Sequence, residues 1–144
     1  MKILSVFFLS FFLGNGCDTA KAQDMKDAII EYTATTRGFY QKITVKNKTV
    51  TVAKDRNGNN KPITMTLSAA NWKEIISTLD TVALDKMATL KAPTEKRFYD
   101  GAAIATLQVT YKHKTHTSAA FDHGFPPKEL QQCVAKLQSF VIEE

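Results

Sequence analysis

Cysteine is nearly missing: the chain carries Cys17 and Cys133 and no third thiol, so no CxxC pair or multi-cysteine framework can form. Glycine is scarce as well, with 6 in 144 residues. The polar loop "DRNGNNKP" (55–62) has a single Gly and no Lys-Ser or Lys-Thr helix start after it, which excludes a glycine-rich phosphate cradle. There is no G-x-S-x-G, so a serine nucleophile on a strand-to-helix elbow is absent too. Long apolar runs are confined to Ile3 to Leu13, whose 11 residues fall short of the roughly 20 that a helix needs to span a bilayer.

What that run does resemble is an export signal: Lys2, the apolar stretch, then a small and polar segment. Two processing readings compete. "AKA" (20–22) is an A-x-A site that removes residues 1–22 and starts the mature chain at Gln23, whereas "LGNGC" ending at Cys17 resembles a lipobox, which removes 1–16 and acylates Cys17. Gly14 stands where a lipobox prefers leucine. Stable anchoring through Cys17 would need more than one acyl chain. Either cut leaves Cys133 without an intramolecular partner, so residues 23–144 must fold as one domain on a hydrophobic core alone.

The formal charge is +5; Lys2, Lys21 and Asp18 account for +1 of it, leaving +4 from Gln23 onward. For an exported chain that is a weak nucleic-acid signature, and none is expected as a partner. Lys42, Lys46, Lys48, Lys54, Arg56 and Lys61 gather in 42–61 against Asp55 alone. They read either as adhesion to anionic lipid headgroups or acidic polysaccharide, or as lysines that protect a sheet edge from self-association.

Along the mature chain, "AIIEYTAT" (28–35) is β-branched enough for a strand, and "FYQKITVK" (39–46) alternates, with Phe39, Gln41, Ile43 and Val45 on one face. Asn47 and Lys48 form a two-residue turn into "TVTVAK" (49–54). "ITMTL" (63–67) is a short strand, and Ser68 caps a helix whose Trp72, Ile75, Ile76 and Leu79 make one apolar stripe. After a turn through Met87 come strands at 102–111 and 115–121. A final helix opens near Pro127, with Leu130, Cys133, Val134, Leu137 and Val141 on one face. The expected fold is α+β: an antiparallel sheet of about five strands, order β-β-β-α-β-β-α, with two helices packed on one face. Ile43, Val45, Leu107 and Val109 should meet the helices, and Cys133 should be an inert core thiol.

All three histidines, His113, His116 and His123, lie within "KHKTHTSAAFDHG" (112–124). A hairpin turning at residues 113 and 114 puts Lys112 opposite Thr115 and carries His123 about 30 Å from His113, too far for one ion. No metal and no cofactor are expected. The same hairpin sets Asp122 opposite Ala105 and gathers Arg97, Tyr99, Asp100, Asp122 and His123 at its open end. A carboxylate beside an imidazole is the arrangement of a general base. It is also how a loop satisfies its own backbone amides.

Three segments, "YTATTRGFYQKI" (32–43), "KAPTEKRFYDGAAIATLQV" (91–109) and "FDHGFPPKEL" (121–130), resemble together the small exported or lipoprotein-like proteins of Bacteroidetes-type bacteria. That resemblance implies an envelope location and a binding or structural role, and assigns no functional residue. The reading is an exported non-catalytic envelope or secreted module that binds a protein or glycan through Arg97, Tyr99, Asp100, Asp122 and His123. The alternatives are a small hydrolase or isomerase using Asp122 and His123 as an acid and base pair, and a cationic surface that adheres to anionic membranes.

Overall fold

A computed structural model describes residues 25–142. The export segment, both cleavage sites and Cys17 lie outside the described residues. Within them the chain folds as an antiparallel sheet covered on one face by helices, in the α+β class expected. The strands are β1 (Ile29–Thr35), β2 (Tyr40–Lys46), β3 (Thr49–Ala53), β4 (Ile63–Thr66), β5 (Ile104–Tyr111), β6 (Lys114–Thr117) and β7 (Phe121–Asp122). They run in the order β4-β3-β2-β1-β5-β6, with β7 also on β5. Four strands therefore precede helix α1 (Ala69–Leu79), at the four segments read as strands from sequence and one more than the β-β-β-α order counted, and α2 (Gln131–Gln138) closes the chain.

Alternation decides which side is buried. Ile30, Tyr32 and Ala34 of β1, Ile43 and Val45 of β2, Val50 of β3, and Ala105, Leu107 and Val109 of β5 are all 0% exposed. The opposite phase leaves Thr33, Thr44, Thr51 and Thr106 half-exposed on the outer face. Against the inner face α1 lays Trp72, Ile75, Ile76 and Leu79, and α2 lays Cys133, Val134 and Leu137. Each large apolar side chain buried this way contributes about 1.5–3 kcal/mol relative to its exposed state. The Ser68 hydroxyl caps α1, accepting from the Asn71 amide at 3.1 Å. A 3-10 turn (Leu84–Thr89) then drives Met87 into the core.

The two two-residue hairpin turns are left-handed at successive non-glycine residues: Asn47 and Lys48 at φ 50° and 58°, Lys112 and His113 at 49° and 62°. That geometry matches the twist of the strands it joins. The first turn is the one expected. The second corrects the expected register: Lys112 and His113 form the turn and Tyr111 faces Lys114, instead of Lys112 facing Thr115.

Further along the same hairpin the chain gains one residue. Gln108 faces Thr117, yet Ile104 faces Asp122. Ser118 marks this bulge: its amide donates to the Leu107 carbonyl at 2.8 Å, and its hydroxyl accepts from the Leu107 amide at 3.0 Å. The side chain thus replaces a ladder acceptor that the extra residue displaces. As a result Asp122 lies opposite Ile104; the hairpin register continued without the bulge would have put it opposite Ala103, and the register expected from sequence opposite Ala105.

Candidate functional site

The end of the sheet where β1 meets β2 and β5 begins holds the five residues singled out from sequence, and it divides them into two groups. Asp122 turns toward the loop at 94–101. Its carboxylate is fully buried and accepts from Thr94 Oγ1 at 2.5 Å, the Lys96 amide at 2.7 Å, the Arg97 amide at 3.0 Å and Arg97 Nη1 at 3.0 Å. Burial alone would raise its pKa; the hydrogen bonds from Thr94, Arg97 and Lys96 outweigh that and bring it down to about 2. The ion is charged at any ordinary pH, and its acceptor sites are filled.

Around that carboxylate the chain winds into a 3-10 turn (Lys96–Tyr99). Asp100 ends the turn at φ 57°, in the left-handed region, and the Gly101 amide closes it on the Lys96 carbonyl at 2.8 Å. A Cβ on Gly101 would sit 2.8 Å from the ring of the exposed Tyr99, which can swing aside, and 3.2 Å from the Lys96 carbonyl oxygen, so a larger residue would make this turn give by a few tenths of an ångström. The product is a braced loop with its aromatic side chains outside: Phe98 and Tyr99 are each 72% exposed. Ile104 and Phe125 are exposed at the same end of the sheet. Arg97 lies over the Phe98 ring at 4.4 Å, and Lys96 over the Phe125 ring at 4.2 Å.

His123 belongs to a different group. Its amide pairs with Ala103, and its Nδ1 lies 2.7 Å from the hydroxyl of Tyr32, a fully buried residue of the central strand. Phe39 stands against the imidazole, ring centroids 5.2 Å apart. Burial lowers the histidine pKa. Burial also pushes the Tyr32 phenol well above its ordinary range, the neighbouring Gln138 amide offsetting only part of this. A phenol so far from ionising keeps its proton. The assignment that leaves no buried hydroxyl idle has Tyr32 donating to Nδ1, with the imidazole proton on Nε2. Asp122 and His123 thus hold separate partners, and no hydrogen bond among the described residues joins them as acid and base.

Behind His123, Gln41 Nε2 donates to Gln138 Oε1 at 2.9 Å. Gln138 Nε2 is closed off from solvent and meets no acceptor with hydrogen-bonding geometry. Composition alone does not point to Tyr32, Gln41 and Gln138, but the pattern held a signal: Gln41 is a polar residue in the inward phase of an otherwise apolar strand.

The other histidines are elsewhere. His113 sits in the β5–β6 turn, and His116 Nδ1 approaches Asp85 at 3.4 Å, beside a Lys114 to Asp85 ion pair of 2.8 Å. Among the described residues no group of three or more His, Cys, Asp or Glu is placed to hold a metal ion. Three cations of the 42–61 cluster are engaged within the molecule: Lys42 with Glu31 at 2.8 Å, Lys54 with the Ile142 carbonyl at 2.8 Å, and Arg56 with Thr35 and the Thr36 carbonyl. Among the described residues no helix is long and apolar enough to cross a membrane. No protein-family model, curated protein or solved structure matches this chain.

Proposed function

We propose that this is an exported, non-catalytic binding module of the cell envelope or its exterior, and that it grips a protein partner through the loop at 94–101. The observation that carries this reading is the contrast within that loop. A fully buried carboxylate with four donors braces a backbone whose Phe98 and Tyr99 are each 72% exposed. Large aromatics left in water cost solubility and bring the free domain nothing. Held rigid beside arginine, they are the residue types on which binding energy concentrates at protein interfaces, and they lose little further entropy on docking.

Placement supports the same reading. The described chain enters β1 at Ile29, which pairs with Thr110, while the loop lies by the Thr35 and Ile104 end. Over the 7 residues of β1 these ends are about 20 Å apart. The aromatic end thus lies at the opposite end of β1 from the one where the described chain enters.

A photo-reactive benzoyl-phenylalanine at position 98, in the native host, tests the reading. The expected result is a cross-link to one protein, competed by added wild-type domain and not by a folded Phe98→Ser, Tyr99→Ser double variant. A position-98 probe that labels no more than the same probe at Thr51 on the outer sheet face would refute it.

A further inference from the structure

A cleft lies beside His123, apart from the aromatic loop. Two hollows meet at His123 and Gln138. One, of about 300 Å³, runs along α2 past Pro126, Val134 and Ala135. The other, of about 500 Å³, is walled by Phe39, Tyr40, Gln41 and Lys54. Both volumes fall in the range of small-molecule pockets.

The chemistry of the lining is selective. Two aromatic rings supply flat apolar faces. Gln41, Gln138 and His123 supply planar groups that donate and accept side by side. The one charged residue among the lining residues of either hollow is Lys54, and no carboxylate lines them.

This polar group sits where the fold would be served by apolar side chains. Gln41 occupies an inward position of β2 and is 5% exposed, Tyr32 is fully buried, and the Gln138 amide nitrogen is enclosed beside the Tyr32 hydroxyl. A buried polar network carries a desolvation cost that apolar side chains of the same shape would not. That cost is accounted for if a ligand bonds the polar edges that line the cleft.

The geometry points to a subsite for a sugar residue bearing a carboxylate, such as a hexuronate of an acidic polysaccharide. The ring's C–H face stacks on Phe39 or Tyr40, paired hydroxyls bridge the glutamine amides and His123 Nε2–H, and the carboxylate meets Lys54. No bond is made or broken. A neutral sugar lacks the ion pair, and a plain carboxylate lacks the hydroxyl pairs.

Trigalacturonate, cellotriose and acetate, titrated separately into the 15N-labelled domain, test this. Trigalacturonate should shift the His123, Phe39 and Gln138 signals and saturate, with cellotriose roughly ten-fold weaker or worse, one charge pair's worth of affinity. Acetate should not saturate. Lys54→Met, a change at the surface, should remove the preference for the acidic sugar. Gln41→Leu with Gln138→Leu should abolish binding while the melting temperature holds or rises. No saturating shifts at these residues, equal response to acetate, or binding retained in the double leucine variant would each overturn the assignment. So would a double variant that melts lower while still binding, since the amides would then serve the fold. None of these outcomes depends on a partner at the aromatic loop.

Discussion

Replacing Asp122 by Asn removes a charge while keeping the side chain's shape. The amide still accepts through one oxygen, but its NH2 confronts donors: Thr94, the Lys96 and Arg97 amides and the Arg97 guanidinium surround the site. Arg97, with only 12% of its side chain exposed, is left without its counterion. Removing one member of a buried, hydrogen-bonded ion pair costs about 3 kcal/mol or more, because the remaining charge stays desolvated. For a domain of this size the melting temperature should fall by roughly 12 °C.

A pH series adds a second, independent readout. The folded-state pKa of about 2 lies below the ordinary 3.8. The unfolded chain therefore binds the proton first as the pH falls. This group's stabilisation is complete above about pH 4 and is lost through the window down to about pH 2, amounting to about 2.5 kcal/mol. Thermal melts of the wild type between pH 6 and pH 2 should show that loss, and Asp122→Asn should lack this component. A variant that melts within 1 kcal/mol of wild type, with the acid slope unchanged, would refute the view of Asp122 as the brace of this loop.

Cys133 is fully buried and its thiol is pushed up to about 11, so a disulfide reagent at pH 8 should label it only as the domain unfolds; rapid native labelling would contradict this. Lys48→Gly should stabilise the domain by roughly 0.5–1 kcal/mol, because Lys48 holds φ 58° in a turn that favours Asn-Gly, and chemical denaturation measures it. Ser118→Ala should cost about 1–3 kcal/mol by orphaning the buried Leu107 amide at the bulge, while Ser118→Thr should recover part of the loss. His123 is neutral in the fold below its ordinary pKa, so its contribution to stability is present above about pH 6.5 and declines as pH falls toward the lowered value; its NMR titration should move down accordingly, and Tyr32→Phe should alter it.

Periodicity was enough for much of the fold. The alternation through Ile43 and Val45 and the stripe from Trp72 to Leu79 name core residues without knowledge of their partners, because burial on one face of a regular element imposes the period itself. Ser68 and the Asn47-Lys48 turn were legible for a similar reason: caps and tight turns depend on residues within a few positions of each other. The gathering of "RFYDG" beside "FDHG" also followed, since any hairpin register near the true one brings those segments to the same end.

The rest depended on contacts between residues far apart in the chain. The bulge at Ser118 is invisible as a pattern, since one inserted residue leaves "THTSAAF" looking like continuous strand. It nevertheless decides that Asp122 faces Ile104 and that its carboxylate meets the loop at 94–97. The separation of Asp122 from His123 follows from their different surroundings, the loop for one and Tyr32, 91 positions away, for the other. Gln41 and Gln138 meet across 97 positions. Sequence alone determined the elements, their inward faces and the end of the sheet where polar residues collect. Tertiary structure alone decided which of those residues became a brace and which line a cleft, because hydrogen-bond partners are chosen by packing in three dimensions and not by spacing along the chain.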